Sequence, residues 1–363
     1  MPRTTPPTSS DDLAARLPRV VDLLAARAEE HDREGGFPYQ GVEVVHEAGL
    51  LLLGAPPRQG GGGAGPVELV RVLVELGRGD PSVALLVADT LVLHAAQARR
   101  RIWPELLYRG LVAESKRRPV LLGVLPAPEL TARRTEDGLR LGGRVERVSG
   151  ADALDWFAFE VPGKDAGTFL VPGDAPGLRV EHDWEQLGLR AGSGHDLLLE
   201  DVPVTEEALL PGEPDAYLQV LRYLVGPAVG LGIARSARDW LLFRLRRQGL
   251  APTVALGRIE AELLGAEEQL DGLAARLDRA DPSTPRRAAL LRLPLLDAAE
   301  RALRAVVGLS GPAALTTRHP LERQLRDLLA LRAQLPPEEQ LFAEAGAGVL
   351  APGTDGPGAD AGA

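Results

Sequence analysis

Residues 187–204 read LGLRAGSGHDLLLEDVPV, and this stretch divides two kinds of structure. Its first half is a Gly/Ser-rich turn around Arg190. Leu197, Leu198 and Leu199 then form a continuous apolar run, the pattern of a buried strand. Pro203 has no N–H for a ladder, so the strand is expected to end near it. Upstream, short apolar or alternating runs recur at 120–124, 139–148, 156–161 and 168–171. Asp137-Gly138, Pro162-Gly163, Pro172-Gly173 and Pro176-Gly177 separate them as turns. Residues 119–211 therefore read as a β-domain, and the chain changes to helical spacing after it.

Helical spacing also precedes it. Leu13, Leu17, Val20, Leu24 and Ala28 recur every three to four residues, with Ser10 or Asp11 as the expected cap. Further helices are expected over 38–49, 67–77 and 81–98. After the β-domain, helices are expected over 217–247 and 254–277, from Thr284-Pro285 onward, and over 321–335. Four long helices with short links suggest an up-down bundle. The fold class is α+β multidomain. An N-terminal α-helical domain (1–118) leads to a central small antiparallel β-barrel or sandwich (119–211), a C-terminal four-helix bundle (212–350) and a disordered tail (351–363).

Composition narrows the chemistry. The 363 residues are 45% hydrophobic, enough for a large core. A net charge of −10 argues against a nucleic-acid partner, which needs a basic surface. With no cysteine, disulfides, thiolate catalysis and Cys-zinc sites are excluded. The six histidines form no His-x-x-x-His pair, so no metal is expected. The amino terminus lacks a signal-peptide core, and Asp89 and His94 interrupt the most apolar helix. The expectation is a cytoplasmic protein without a membrane span. The run Gly60-Gly61-Gly62-Gly63 has no following Lys-Ser/Thr, so it reads as a flexible link and not as a P-loop.

Several segments resemble the acyl-CoA dehydrogenase superfamily, in the branch that also holds flavin-dependent monooxygenases. They are residues 32–65 with Phe37-Pro38 and Ala48-Gly49-Leu50, the Asp80-Pro81-Ser82-Val83-Ala84 helix start, residues 139–151 (LRLGGRVERVSGA), residues 187–204, and residues 308–327 with His319-Pro320-Leu321 and Arg326-Asp327. The resemblance covers nearly the whole chain. It implies an FAD cofactor lying between β-domain and bundle and completed by another subunit of a homo-oligomer. It puts Ser149 and Arg147 beside the flavin ring, with Arg147 replacing the usual aromatic residue. Arg246, Arg247 and Gly311 fall where the family contacts cofactor phosphates. His195 falls at the flavin or substrate pocket, and His319 reads as a helix cap.

The leading function that the resemblance implies is α,β-dehydrogenation of an acyl thioester such as an acyl-CoA. That reaction needs a carboxylate base. The family's Glu-Gly segment after the Arg-Asp pair is missing, and Glu338 is the candidate that stands near its place. The alternative is a flavin-dependent monooxygenase that uses O2 and reduced flavin from a flavin reductase partner. A further alternative is a non-catalytic binding or assembly subunit.

Overall fold

The computed structural model describes residues 5–7, 9–136, 138–163 and 166–350. The tail expected at 351–363, and Asp137 of one predicted turn, lie outside them. Among the described residues six α-helices come first: α1 (Ser10–Ala25), α2 (Ala28–Glu34), α3 (Tyr39–Glu47), α4 (Pro66–Gly79), α5 (Pro81–Arg100) and α6 (Glu105–Ser115). The cap of α1 is Ser9, one residue ahead of the expected pair, and its hydroxyl accepts the Asp12 N–H. Leu13, Leu17, Val20 and Leu24 form the buried face of α1. The Asp80 carboxylate accepts the N–H groups of Ser82 and Val83 at the start of α5, where Pro81 has no N–H to satisfy.

The glycine run at 60–63 is not a slack connection. The N–H groups of Gly61, Gly62 and Gly63 bond the carbonyls of Pro56, Leu52 and Ala55. Those amides are spent within the fold, and a Cβ at Gly61 would overlap Ala55.

Eight strands follow among the described residues: β1 (Leu122–Pro126), β2 (Thr131–Thr135), β3 (Gly138–Val148), β4 (Trp156–Val161), β5 (Gly167–Pro172), β6 (Leu178–Glu181), β7 (His195–Val204) and β8 (Leu209–Pro211). They form two four-stranded sheets, ordered β1-β4-β5-β8 and β2-β3-β7-β6. The pairings are antiparallel except β1 with β4, which is parallel. Strand β7 runs one residue past Pro203, which stands opposite Arg140. Leu197 and Leu199 are buried, as the apolar run requires.

The bundle comprises α7 (Ala216–Gln248), α8 (Thr253–Asp278), α9 (Thr284–Ser310) and α10 (Pro320–Ala333), with α11 (Glu338–Leu350) beyond it. Helix α7 is the central post, packed on α4, α5, α8 and α9. Gly232 permits its close approach to α4, because a Cβ there would overlap the Val74 carbonyl. Pro227 lies inside α7 without ending it. Helices α5 and α7 are long and apolar enough to cross a membrane, but 83% and 61% of those windows is buried inside the fold, the signature of core helices.

Candidate functional site

The segment 187–204 ties all three regions together. Leu189 and Ser193 adopt left-handed backbone on either side of a short helical turn, Arg190–Gly192. The Leu189 N–H donates to Asp327 Oδ1 at 2.7 Å, and Arg326 Nη1 donates to the Leu187 carbonyl at 2.7 Å. Arg326 also forks onto both Asp32 oxygens at 2.9 and 2.7 Å. Gly188 is required here, since a Cβ would overlap the Arg326 carbonyl. Burial pushes the Asp327 carboxyl up to about 7, against the lowering pull of the Leu189 N–H and Arg323. Beside it, His31 Nδ1 lies 2.7 Å from Asp80. This region is an interdomain clamp.

His195 lies at the far end of that turn. Its Nδ1 accepts the N–H groups of Asp183 and Trp184, both at 3.2 Å. The ring proton therefore sits on Nε2, 3.2 Å from Asp152 Oδ2, which also accepts the Ser193 hydroxyl at 2.6 Å. Asp152, His182 and His195 bring ligand-type atoms close together. A metal on His195 Nε2 would need the proton on Nδ1, facing two other donors, so the network suits a turn and not a cation.

Ser149 stands half-buried at the turn after β3. The neighbouring Gly150 rests on Leu86 of α5, and its N–H bonds the Gly192 carbonyl at 2.9 Å. A register shift between Val145 and Val148 puts Arg147 in left-handed backbone with an exposed side chain. Its N–H is held by Asp196 at 2.7 Å. Ser149 and Arg147 thus share the turn at which the β-domain meets α5.

The two bundle motifs meet in space. Arg244 donates to the Ser310 carbonyl at 3.0 Å, immediately before Gly311, which ends α9 at φ 74°. The Trp240 ring packs edge-on against His319, centroids 4.8 Å apart. His319 Nδ1 accepts the Leu321 N–H, so His319 is the cap of α10. Burial and the nearby Arg244 charge hold its pKa below the ordinary histidine value. A cleft of about 380 Å³ opens among Trp240, Phe243, Arg244, Arg247 and Gln248. Arg246 and Arg247 are exposed, and Arg247 lies over the Phe243 ring. Glu338, at the start of α11, is exposed and 3.4 Å from Arg332.

A fourth cluster escaped the sequence reading. Where α5, β1, β4 and α7 converge, Asp89 accepts the Val124 N–H at 2.9 Å. Arg222 of α7 donates to the Val124 carbonyl at 2.7 Å. Its remaining nitrogens stand 3.4 Å from Glu160 and 3.8 Å from Asp89. Burial raises the pKa of both Asp89 and Glu160, with Arg222 opposing. A cavity of about 200 Å³ adjoins the cluster, with Trp103, Val124, Glu160, Thr168 and Leu218 in its wall. The sequence signal for Asp89 was its place in an otherwise apolar helix. Arg222 and Glu160 carried none, because only folding brings them to Asp89.

Residues 19–101 match the acyl-CoA dehydrogenase N-terminal domain family. YdbM of Bacillus subtilis, described as an acyl-CoA dehydrogenase, is 26% identical over 62% of this chain, and the match spans 63% of YdbM, less than two thirds of its length. The amino sugar nitrososynthase DnmZ of Streptomyces peucetius is 28% identical over 72% of this chain and 71% of its own. The X-ray structure of KijD3 in complex with dTDP superposes with a TM-score of 0.81 at 24% identity, covering 96% of this chain and 99% of that one. At that identity the superposition establishes the fold. Residues 19–101 therefore carry the acyl-CoA dehydrogenase N-terminal domain, and the chain as a whole shares the fold of KijD3.

Proposed function

We propose that this protein is a flavin-dependent oxidoreductase that oxygenates a polar small molecule. The observation that carries the reading is the Asp89–Arg222–Glu160 cluster at the junction of α5, β1, β4 and α7. An acyl chain needs apolar walls, because burying charge beside it leaves the charge desolvated and unpaired. Arg222 holds only long contacts to its two carboxylates, so it has donors to offer a polar substrate. Asp89 and Glu160, raised by burial, are suited to holding or passing a proton.

The donor set fits a flavin. Arg244, oriented by Ser310 beside the Gly311 turn, and Arg247 of the same cleft are suited to cofactor phosphates, with the exposed Arg246 next to them in sequence. Ser149 and Arg147 stand at the β-domain turn to receive the ring, with a guanidinium where an aromatic would stack. When bound in reduced form, FAD or FMN supplies the two electrons by which O2 is divided between substrate and water. Relatives support this chemistry: KijD3 has been solved with FMN and an amino-sugar nucleotide, and DnmZ is named as a nitrososynthase. The same reading takes the protein as a cytoplasmic homo-oligomer served by a flavin reductase.

Acyl thioester dehydrogenation is the second reading, favoured by the amino-terminal domain match and by YdbM. In it Glu338 is the base, and His195 borders the substrate. The visible spectrum and flavin titration of the purified protein come first, followed by two assays. Oxygen uptake with reduced flavin and a polar acceptor supports oxygenation. Anaerobic bleaching of bound flavin by acyl-CoA overturns it for dehydrogenation. A colourless protein that binds no added flavin removes both and leaves a binding or assembly role.

A further inference from the structure

A second cavity, of about 520 Å³, lies at the amino-terminal ends of the parallel β1–β4 pair. Phe37, Tyr39 and Val42 form one side, and Pro119 and Leu121 form the other. The turn at 152–155 closes it. The size suits one small molecule, and most of the lining is apolar. Phe37 and Tyr39 make an edge-to-face pair at 4.7 Å, and Tyr39 is 65% exposed at the rim. Tyr39 thus leaves an aromatic face open to solvent beside an apolar hollow.

The charges around it are unequal. Arg118 is committed to Asp155 and Glu114, both at 2.6 Å. Asp155 also accepts the Leu121 N–H at 2.7 Å. Asp152 is occupied by Ser193 and His195. Glu43 is different: among the described residues it faces His46 Nδ1 at 3.7 Å, too long for a hydrogen bond. The His46 Nε2 proton is already given to the Ser115 carbonyl at 2.9 Å. One carboxylate with spare acceptors therefore stands at the edge of an apolar, aromatic-rimmed hollow.

We infer that this cavity is a binding site for a hydrophobic amine, with the apolar body against Phe37, Val42 and Leu121 and the ammonium on Glu43. The aromatic rim adds attraction for the same cation. The site uses no residue of the flavin reading, so either can fail without the other.

The test is calorimetric titration of the purified protein near neutral pH with 2-phenylethylammonium, 2-phenylethanol and 3-phenylpropionate. The amine is expected to bind with unit stoichiometry, about tenfold tighter than the carboxylate. Glu43→Gln should weaken the amine about fivefold and erase its advantage over the alcohol. Val42→Trp, which fills the hollow, should abolish binding of amine and alcohol alike. Equal binding of amine and carboxylate, no amine binding, or unchanged amine affinity in Glu43→Gln overturns the assignment. Matched thermal melts of both variants show that each is folded.

Discussion

The clamp at Arg326–Asp327 and the junction at Arg222 are built from the same kinds of residue and behave oppositely. At the clamp, Arg326 reaches Asp32, Glu322 and the Leu187 carbonyl with short, forked bonds. At the junction, Arg222 makes one short bond, to a carbonyl, and stands 3.4 and 3.8 Å from its carboxylates. A guanidinium with its donors committed holds domains together; one with donors to spare can recognise something else. On the proposed reading, partner saturation, more than residue type, separates architecture from chemistry here.

The sharpest way to break this contrast is to remove each arginine. Arg326→Ala leaves Asp32 and the Leu187 carbonyl without their shared donor, and should cost about 3 kcal/mol in urea unfolding. Arg222→Gln should leave the melting temperature within a few degrees but lower kcat/KM about tenfold or more, on the order of 1.4 kcal/mol of transition-state binding. A stability loss at Arg222 equal to that at Arg326 would erase the distinction.

A gentler probe is pH. The Asp327 carboxyl keeps its proton up to about 7 in the fold and releases it near the ordinary value, 3.8, when unfolded. Between those limits the folded state binds more protons, so stability from this group is full below the lower limit and falls as pH rises through the window. For one group the slope is at most about 1.4 kcal/mol per pH unit. Asp327→Asn should flatten the slope between those limits in denaturation series, while an unchanged slope would remove Asp327 as its source. The smallest expected effect is at Glu338, which is exposed and paired to Arg332. Glu338→Gln should leave turnover unchanged under oxygenation, whereas a loss of about 10²–10⁴ would identify a base and restore the dehydrogenase reading.

Much of the architecture was legible because it rests on local rules. Apolar spacing marked α1, α4 and α5; Asp80 and Pro81 marked a helix start; the Leu197–Leu199 run marked β7. His319 read as a cap because proline follows it, and its ring accepts the Leu321 N–H. Other features were not legible. The parallel β1–β4 pair joins strands some thirty residues apart, and no spacing rule selects its direction. The glycine run looked slack because sequence does not show that its amides bond Pro56, Leu52 and Ala55.

The sequence alone therefore determined the succession of helical, β and helical regions and the place where they change, since hydrophobic period and turn chemistry act over a few residues. Tertiary structure decided what the residues in that frame do. It turned 187–204 into a clamp by carrying Arg326 and Asp327 to it across 138 positions, and it set Asp89, Glu160 and Arg222 around one strand. Whether a charge is saturated depends on partners brought from distant parts of the chain, and that is settled only when the domains pack.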